Sequence, residues 1–318
     1  MTEIGLIDLR SDVCLRPSEA MWAAMRSAEP GWPLFGEDPS VNALEAAASG
    51  LLGKAAAVFV PTCGQANLAA LMTLGEPGQE VVVGRTAHII TSEGMGVERV
   101  AGLRVRLVAD DSGWPEVTGP AGFLCLENTH TRSGGRVIGA ARLAEVAGGA
   151  RRVHLDGARL FNAAVALGVP AQELAAAADT VSISLNKGLG APFGAILAGS
   201  AEVIQAARLN LKRIGGASVH GAGVMAAAGL VALARVGELG EDHRRAARLA
   251  ELIGAAPPET NIVIHQTPGP ASVFLESLRR CGVLAYPRSE GSVRFVTHRL
   301  IGDTEVERAA AAVRSAAC

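Results

Sequence analysis

Lysine occurs at three positions only, Lys54, Lys187 and Lys212, so chemistry that needs an amine nucleophile has three candidates. Lys187 follows the apolar run Thr180 to Leu185 and is trailed by Gly188-Leu189-Gly190, glycines that let a flat cofactor come close. Lys54 reads instead as a solvated charge at a helix end. Lys212, within Leu211-Lys212-Arg213, reads as a basic surface or phosphate contact. Other reactive residues also follow apolar runs. Asp156-Gly157-Ala158-Arg159 comes after Val153-His154-Leu155, Glu127-Asn128-Thr129-His130 after Gly122 to Leu126, and His88 after Val81 to Val83. Thr62-Cys63-Gly64-Gln65 follows Ala56 to Val60 and opens a helix.

If those runs are strands of one open α/β sheet, these residues meet at its carboxyl edge, where such sheets bind ligands. Together they suit pyridoxal phosphate. An amine can form a Schiff base with its aldehyde, and a carboxylate (Asp156) can keep the pyridine nitrogen protonated so that the ring takes up electrons. A helix N-terminus near Cys63-Gly64-Gln65 offers N–H donors to the phosphate, and His88 can stack on the ring. Taken singly, Lys187 reads as a surface lysine, Asp156 as a turn residue and His154 as structural. Glu127, His130 and His154 lack a metal-ligand spacing, so no metal is expected. The Gly215 to Gly221 segment, which contains His220, lacks the Gly-Lys-Ser/Thr ending of a P-loop.

The elements that must position these groups are legible as alternation. Apolar strands at Ala56–Val60, Val81–Val83, Gly122–Leu126, Arg152–Leu155 and Thr180–Leu185 interleave with helical patterns such as Gln65–Leu74, which predicts an α/β fold with a mostly parallel sheet. Gly194–Ala198 follows closely enough to pair antiparallel with its predecessor. After residue 240 the pattern changes to a small α+β module: an amphipathic helix at Glu241–Ile253, strands near Ile262–Ile264 and Ser292–Thr297, and helices near Val273–Arg280 and from Thr304, where Glu307 completes a capping box. A large domain, 1–240 with an N-terminal arm, and a small one, 241–318, are expected. Pro30 to Pro39 forms a long loop of a kind that often carries function.

Composition narrows the partners. The chain has 318 residues, 49% hydrophobic and 19% charged, with net charge -2, which excludes a disordered chain and gives no basic footprint for nucleic acid. The apolar stretch Gly221–Ala234 is too short to span a bilayer, so no membrane partner is expected. Five cysteines, Cys14, Cys63, Cys125, Cys281 and Cys318, have no CxxC spacing and read as reduced thiols of a cytoplasmic protein.

Six separated segments in order resemble the low-specificity L-threonine aldolases, of the aspartate-aminotransferase-like (fold type I) pyridoxal phosphate enzymes. They are Asp8-Leu9-Arg10-Ser11-Asp12 with Arg16-Pro17, Gly36-Glu37-Asp38-Pro39, Leu126 to His130, His154 to Asn162, Lys187 to Pro192 and Val293 to His298. The resemblance implies Lys187 as the Schiff-base lysine, Asp156 as partner of the ring nitrogen and His88 stacked on the ring. Thr62, Cys63, Gly64, Ser184 and Arg159 would help hold the cofactor. Ser11, Arg159 and Arg294 would hold the substrate carboxylate, with Phe35 also at the substrate. His130 would take the β-hydroxyl proton. The reaction implied is retro-aldol cleavage of a β-hydroxy-α-amino acid to glycine and an aldehyde, or its reverse, in a homotetramer or homodimer. β-Elimination, racemisation and transamination are the alternatives on this fold. The sequence departs from the family at Phe35 (a tyrosine elsewhere), Cys63-Gly64 in the phosphate loop, Thr91 and Ser92 after the stacking histidine, Thr131 and His220, and the segment Asp110–Gly122 is short.

Overall fold

The computed structural model describes residues 5–217 and 219–316; Ser218 and Cys318 lie outside the described residues. Twelve strands run in chain order among the described residues: β1 (Ile7–Asp8), β2 (Ala56–Val60), β3 (Glu80–Gly84), β4 (Arg104–Val108), β5 (Ala121–Glu127), β6 (Ala150–Asp156), β7 (Thr180–Ser184), β8 (Ala195–Gly199), β9 (Ile262–Gln266), β10 (Val283–Leu284), β11 (Tyr286–Ser289) and β12 (Ser292–Val296). Strands β2 to β8 form one sheet in the order β2-β8-β7-β6-β5-β3-β4. The pairs β4/β3, β3/β5, β5/β6 and β6/β7 are parallel, and β8 is antiparallel to both β7 and β2. The expected antiparallel pairing of β8 with β7 is therefore present.

Helices cover both faces, which is why β7 and β8 are buried along their whole length and read as continuous apolar runs. β4 was not anticipated. Its Arg-Val-Arg-Leu-Val pattern places arginines on an edge strand, where Arg106 donates to Glu80 at 2.8 Å, and alternating charge hides a strand from a search for apolar runs.

β9, β11 and β12 form a separate antiparallel sheet in the order β11-β12-β9. The first strand pairs with β10, so Ile7 and Leu9 pack in one apolar cluster with Leu249, Val263, Phe274 and Phe295. The N-terminal arm thus packs into the C-terminal core. The final helix runs Asp303–Ala316, one residue earlier than expected. The Glu305 carboxylate accepts from Gly302 N at 2.9 Å, and Asp303 is drawn to Arg244 at 2.7 Å, which displaces the Thr304–Glu307 capping box. No single helix among the described residues is long and apolar enough to cross a membrane.

Candidate active site

The carboxyl ends of β3, β5, β6 and β7 deliver their reactive residues to one side of the sheet, as the alternation predicts. A cavity of about 360 Å³ is lined by Lys187, His88, Arg159, Ser11, Arg294, Thr86 and Glu127, among others. A second, of about 710 Å³, shares His88 and Ser92 with it and reaches Thr62, Gly64 and Glu93. His88 therefore stands between an amine-bearing chamber and the N-terminus of the helix Cys63–Leu74.

Asp156 ends β6 and is 3% exposed. Its Oδ2 accepts from Asn67 Nδ2 at 2.9 Å and its Oδ1 from Ala158 N at 3.1 Å. Asn67 was missed in the sequence. It sits one helical turn beyond Cys63, on the same face, and organises the floor of the site. Its Nδ2 also donates to Glu93 Oε1 at 2.9 Å, while its Oδ1 accepts from Ser182 Oγ at 2.6 Å and meets His154 Nε2 at 3.0 Å. Burial pushes the His154 imidazole down to about 4, so the ring is neutral at physiological pH. A hydrogen on its Nε2 satisfies Asn67, while Nδ1 lies 2.9 Å from Thr180 Oγ1. His154 is structural, as the single-residue reading has it.

His88 is half-buried. Its Nδ1 lies 2.9 Å from Glu93 Oε1, and that bond raises its pKa above the usual imidazole value against the opposing effect of burial. Glu93, also missed, follows His88 by five residues across a single helical turn, His88–Thr91. Ligand atoms of His88, Glu93 and Asp156 all lie within 4.8 Å of one another, which sets the Asp156 carboxylate beside the His88 ring.

Thr62 caps the helix Cys63–Leu74 by accepting from Gln65 N at 3.1 Å. A Cβ added at Gly64 would sit 3.3 Å from the Glu93 side chain, so glycine keeps this corner open. Cys63 turns inward, with Sγ 3.5 Å from Ser182 Oγ, and burial raises its thiol pKa. Ser184 is buried and donates to Asn186 at 2.6 Å; it lines neither cavity.

Arg159, expected at the substrate carboxylate, lines the cavity. Its Nε and Nη2 bind both oxygens of Asp12, at 2.9 and 2.6 Å, and its Nη1 donates to Thr131 Oγ1 at 3.3 Å. Burial alone would raise the Asp12 carboxyl, but the Arg159 charge and hydrogen bonds hold it well below the usual carboxylate range. Arg294 Nη2 donates to Arg10 O at 3.1 Å, and its guanidinium lies 4.8 Å from the Tyr286 ring centroid. Arg132 and Arg288, not anticipated, add further positive charge to the same wall.

His130 is 2% exposed and lies behind the cavity-lining Thr86 and Glu127, its Nε2 3.5 and 3.9 Å from their side-chain oxygens. Phe35 is 64% exposed and packs edge-on against Trp32 at 4.8 Å; it lines neither cavity of this chain. Lys54 is not the solvated charge expected, since its Nζ reaches across to Ala178 O at 2.6 Å.

An amine, a carboxylate, a flat imidazole and a capped helix N-terminus, grouped at the carboxyl edge of this sheet, define the class: the fold is that of the fold type I pyridoxal phosphate enzymes. A threonine aldolase from Leishmania major has a solved structure matching 98% of this chain and 100% of its own, with a TM-score of 0.82 at 19% identity. The beta-eliminating lyase family matches residues 8–267. Low-specificity L-threonine aldolase 1 of Arabidopsis thaliana is 35% identical over 94% of this chain and 93% of its own. The low specificity L-threonine aldolase of Escherichia coli K12 is 34% identical over 96% and 98%. The chain belongs to the beta-eliminating lyase family, among the low-specificity L-threonine aldolases.

Proposed function

We propose that this protein is a pyridoxal phosphate-dependent lyase that cleaves a β-hydroxy-α-amino acid of the L-threonine type to glycine and an aldehyde. One observation carries the reading: Lys187 shares a cavity with four arginines and His88, and a buried carboxylate held by Asn67 lies beside that histidine. The donor set fits the cofactor. Lys187 Nζ suits its aldehyde, Asp156 its ring nitrogen, His88 a ring face, and the helix N-terminus at Thr62, Cys63 and Gly64 its phosphate. Bound there, the cofactor supplies a sink for an electron pair left on the substrate's Cα.

The chain's own residues do the rest. Asn67 fixes both Asp156 and Glu93, so Asp156 presents a carboxylate in one orientation. Arg294 and the outward face of Arg159, with Ser11, bind the substrate carboxylate and set which Cα bond stands across the ring plane. Asp12 takes two of the Arg159 donors, so Arg159 gives direction and field more than a free fork. The wall of Thr86 and Glu127, with His130 behind it, receives the β-hydroxyl.

Finer features belong to the same proposal. The protein acts in the cytoplasm, in keeping with four free cysteines among the described residues, and divides at about residue 240. It assembles as a homodimer or homotetramer, a reading supported by exposed Trp32, Leu34 and Phe35. The test is product analysis on cofactor-loaded protein given L-threonine. Glycine and acetaldehyde in equal amounts are expected, and Lys187→Ala should abolish both. Ammonia and a keto acid without glycine would establish β-elimination instead.

A further inference from the structure

We propose that the proton leaving the substrate's β-hydroxyl passes through the Thr86 hydroxyl to the Asp110 carboxylate, and that His130 holds Asp110 rather than acting as the base. The inference rests on the retro-aldol reading and assigns the acid–base residues of that site. Thr86 lines the cavity that contains Lys187. Its Oγ1 donates to Asp110 Oδ2 at 2.9 Å, and its backbone N donates to the same oxygen at 2.9 Å. Two bonds from one residue leave the hydroxyl fixed between the cavity and a carboxylate that is 1% exposed.

The remaining contacts separate the candidates. Glu127 reaches the cavity, but its two oxygens accept from His88 N and Thr131 N at 2.9 Å each; it braces the two loops. His130 lies behind the wall, with Nδ1 2.7 Å from Ser133 Oγ and Nε2 3.4 Å from Asp110 Oδ2. A ring hydrogen on Nε2 points at the Asp110 carboxylate and steadies it. Asp110 Oδ1 has no hydrogen-bond partner among the described residues, so this buried carboxylate keeps unused acceptor capacity beside the Thr86 hydroxyl. Gly84 makes the approach possible, because a Cβ there would lie 2.3 Å from Asp110 Oδ2.

The step balances. The β-hydroxyl proton moves to Thr86 Oγ1 as that group's own proton moves to Asp110 Oδ2. The freed O–H electron pair becomes the second bond of the aldehyde C=O, the Cα–Cβ bond breaks, and its pair remains on Cα.

Thr86→Val keeps the shape and deletes the hydroxyl. It should lower kcat for L-threonine cleavage about 100-fold with KM nearly unchanged. Exchange of the glycine Cα proton with D2O, which involves no β-hydroxyl, should persist. Thr86→Ser should restore cleavage, and Asp110→Asn should reproduce the split. In the cofactor-free protein, nitrogen NMR should place the His130 ring hydrogen on Nε2. A hydrogen on Nδ1 with Nε2 bare, undiminished cleavage by Thr86→Val, or equal loss of cleavage and exchange would each overturn the assignment. A wild-type protein that exchanges glycine yet yields none from L-threonine would refute the retro-aldol reading itself.

Discussion

Asp12→Asn tests how much of this molecule depends on one buried ion pair. Asp12 is fully buried, Arg159 is 5% exposed, and two hydrogen bonds of 2.6 and 2.9 Å join them. The pair links the N-terminal arm to the loop after β6. Removing one charge leaves the other in a dry site, which costs about 3–5 kcal/mol. The substituted amide keeps one acceptor for Arg159, so the lower end of that range is expected at pH 7 in urea unfolding of the cofactor-free protein. Asp12 has a folded-state pKa held below its unfolded value. Its contribution is therefore present above the ordinary carboxylate range and lost as pH falls toward the folded value. The stability gap between wild type and variant should narrow by about 1 kcal/mol between pH 7 and pH 3. The variant should also raise KM for the amino acid, because Arg159 loses its orientation. A gap under about 1 kcal/mol at pH 7, or one that does not change with pH, would refute the assignment of this energy to the pair.

Asp156→Asn should lower turnover about 100-fold or more while preserving the fold by circular dichroism, because a neutral amide no longer favours a protonated ring nitrogen; near-normal turnover would contradict its role. Asp242 is 2% exposed, and burial with the nearby Asp12 charge raises its carboxyl to about 7, against the attraction of Arg245. A raised folded-state value means stability is lost as pH rises through it. Asp242→Asn should accordingly be more stable than wild type at pH 8 and close to it at pH 4 in thermal unfolding, and a pH-independent difference would count against it.

The alternation of apolar strands and helices was readable because each buried strand must be apolar on both faces, and the chemistry was readable because it sits at strand ends. That is why Lys187, Asp156 and His88 could be placed at one edge of the sheet from their positions after apolar runs. Residues whose importance lies in a partner distant in sequence were not readable. Asn67 is an ordinary helix residue until it meets Asp156 from β6, and Asp110 a loop acid until it meets Thr86.

The sequence by itself determined the order of elements and the reactive groups at their ends, since burial and local periodicity act over a few residues. Tertiary structure alone decided which charges are neutralised and which face the cavity. It turned Arg159 toward Asp12, put His130 behind Thr86, and joined the N-terminal arm to the C-terminal core. Those outcomes depend on distances between strands that only packing sets, and electrostatic and hydrogen-bond energies change steeply over those few ångströms.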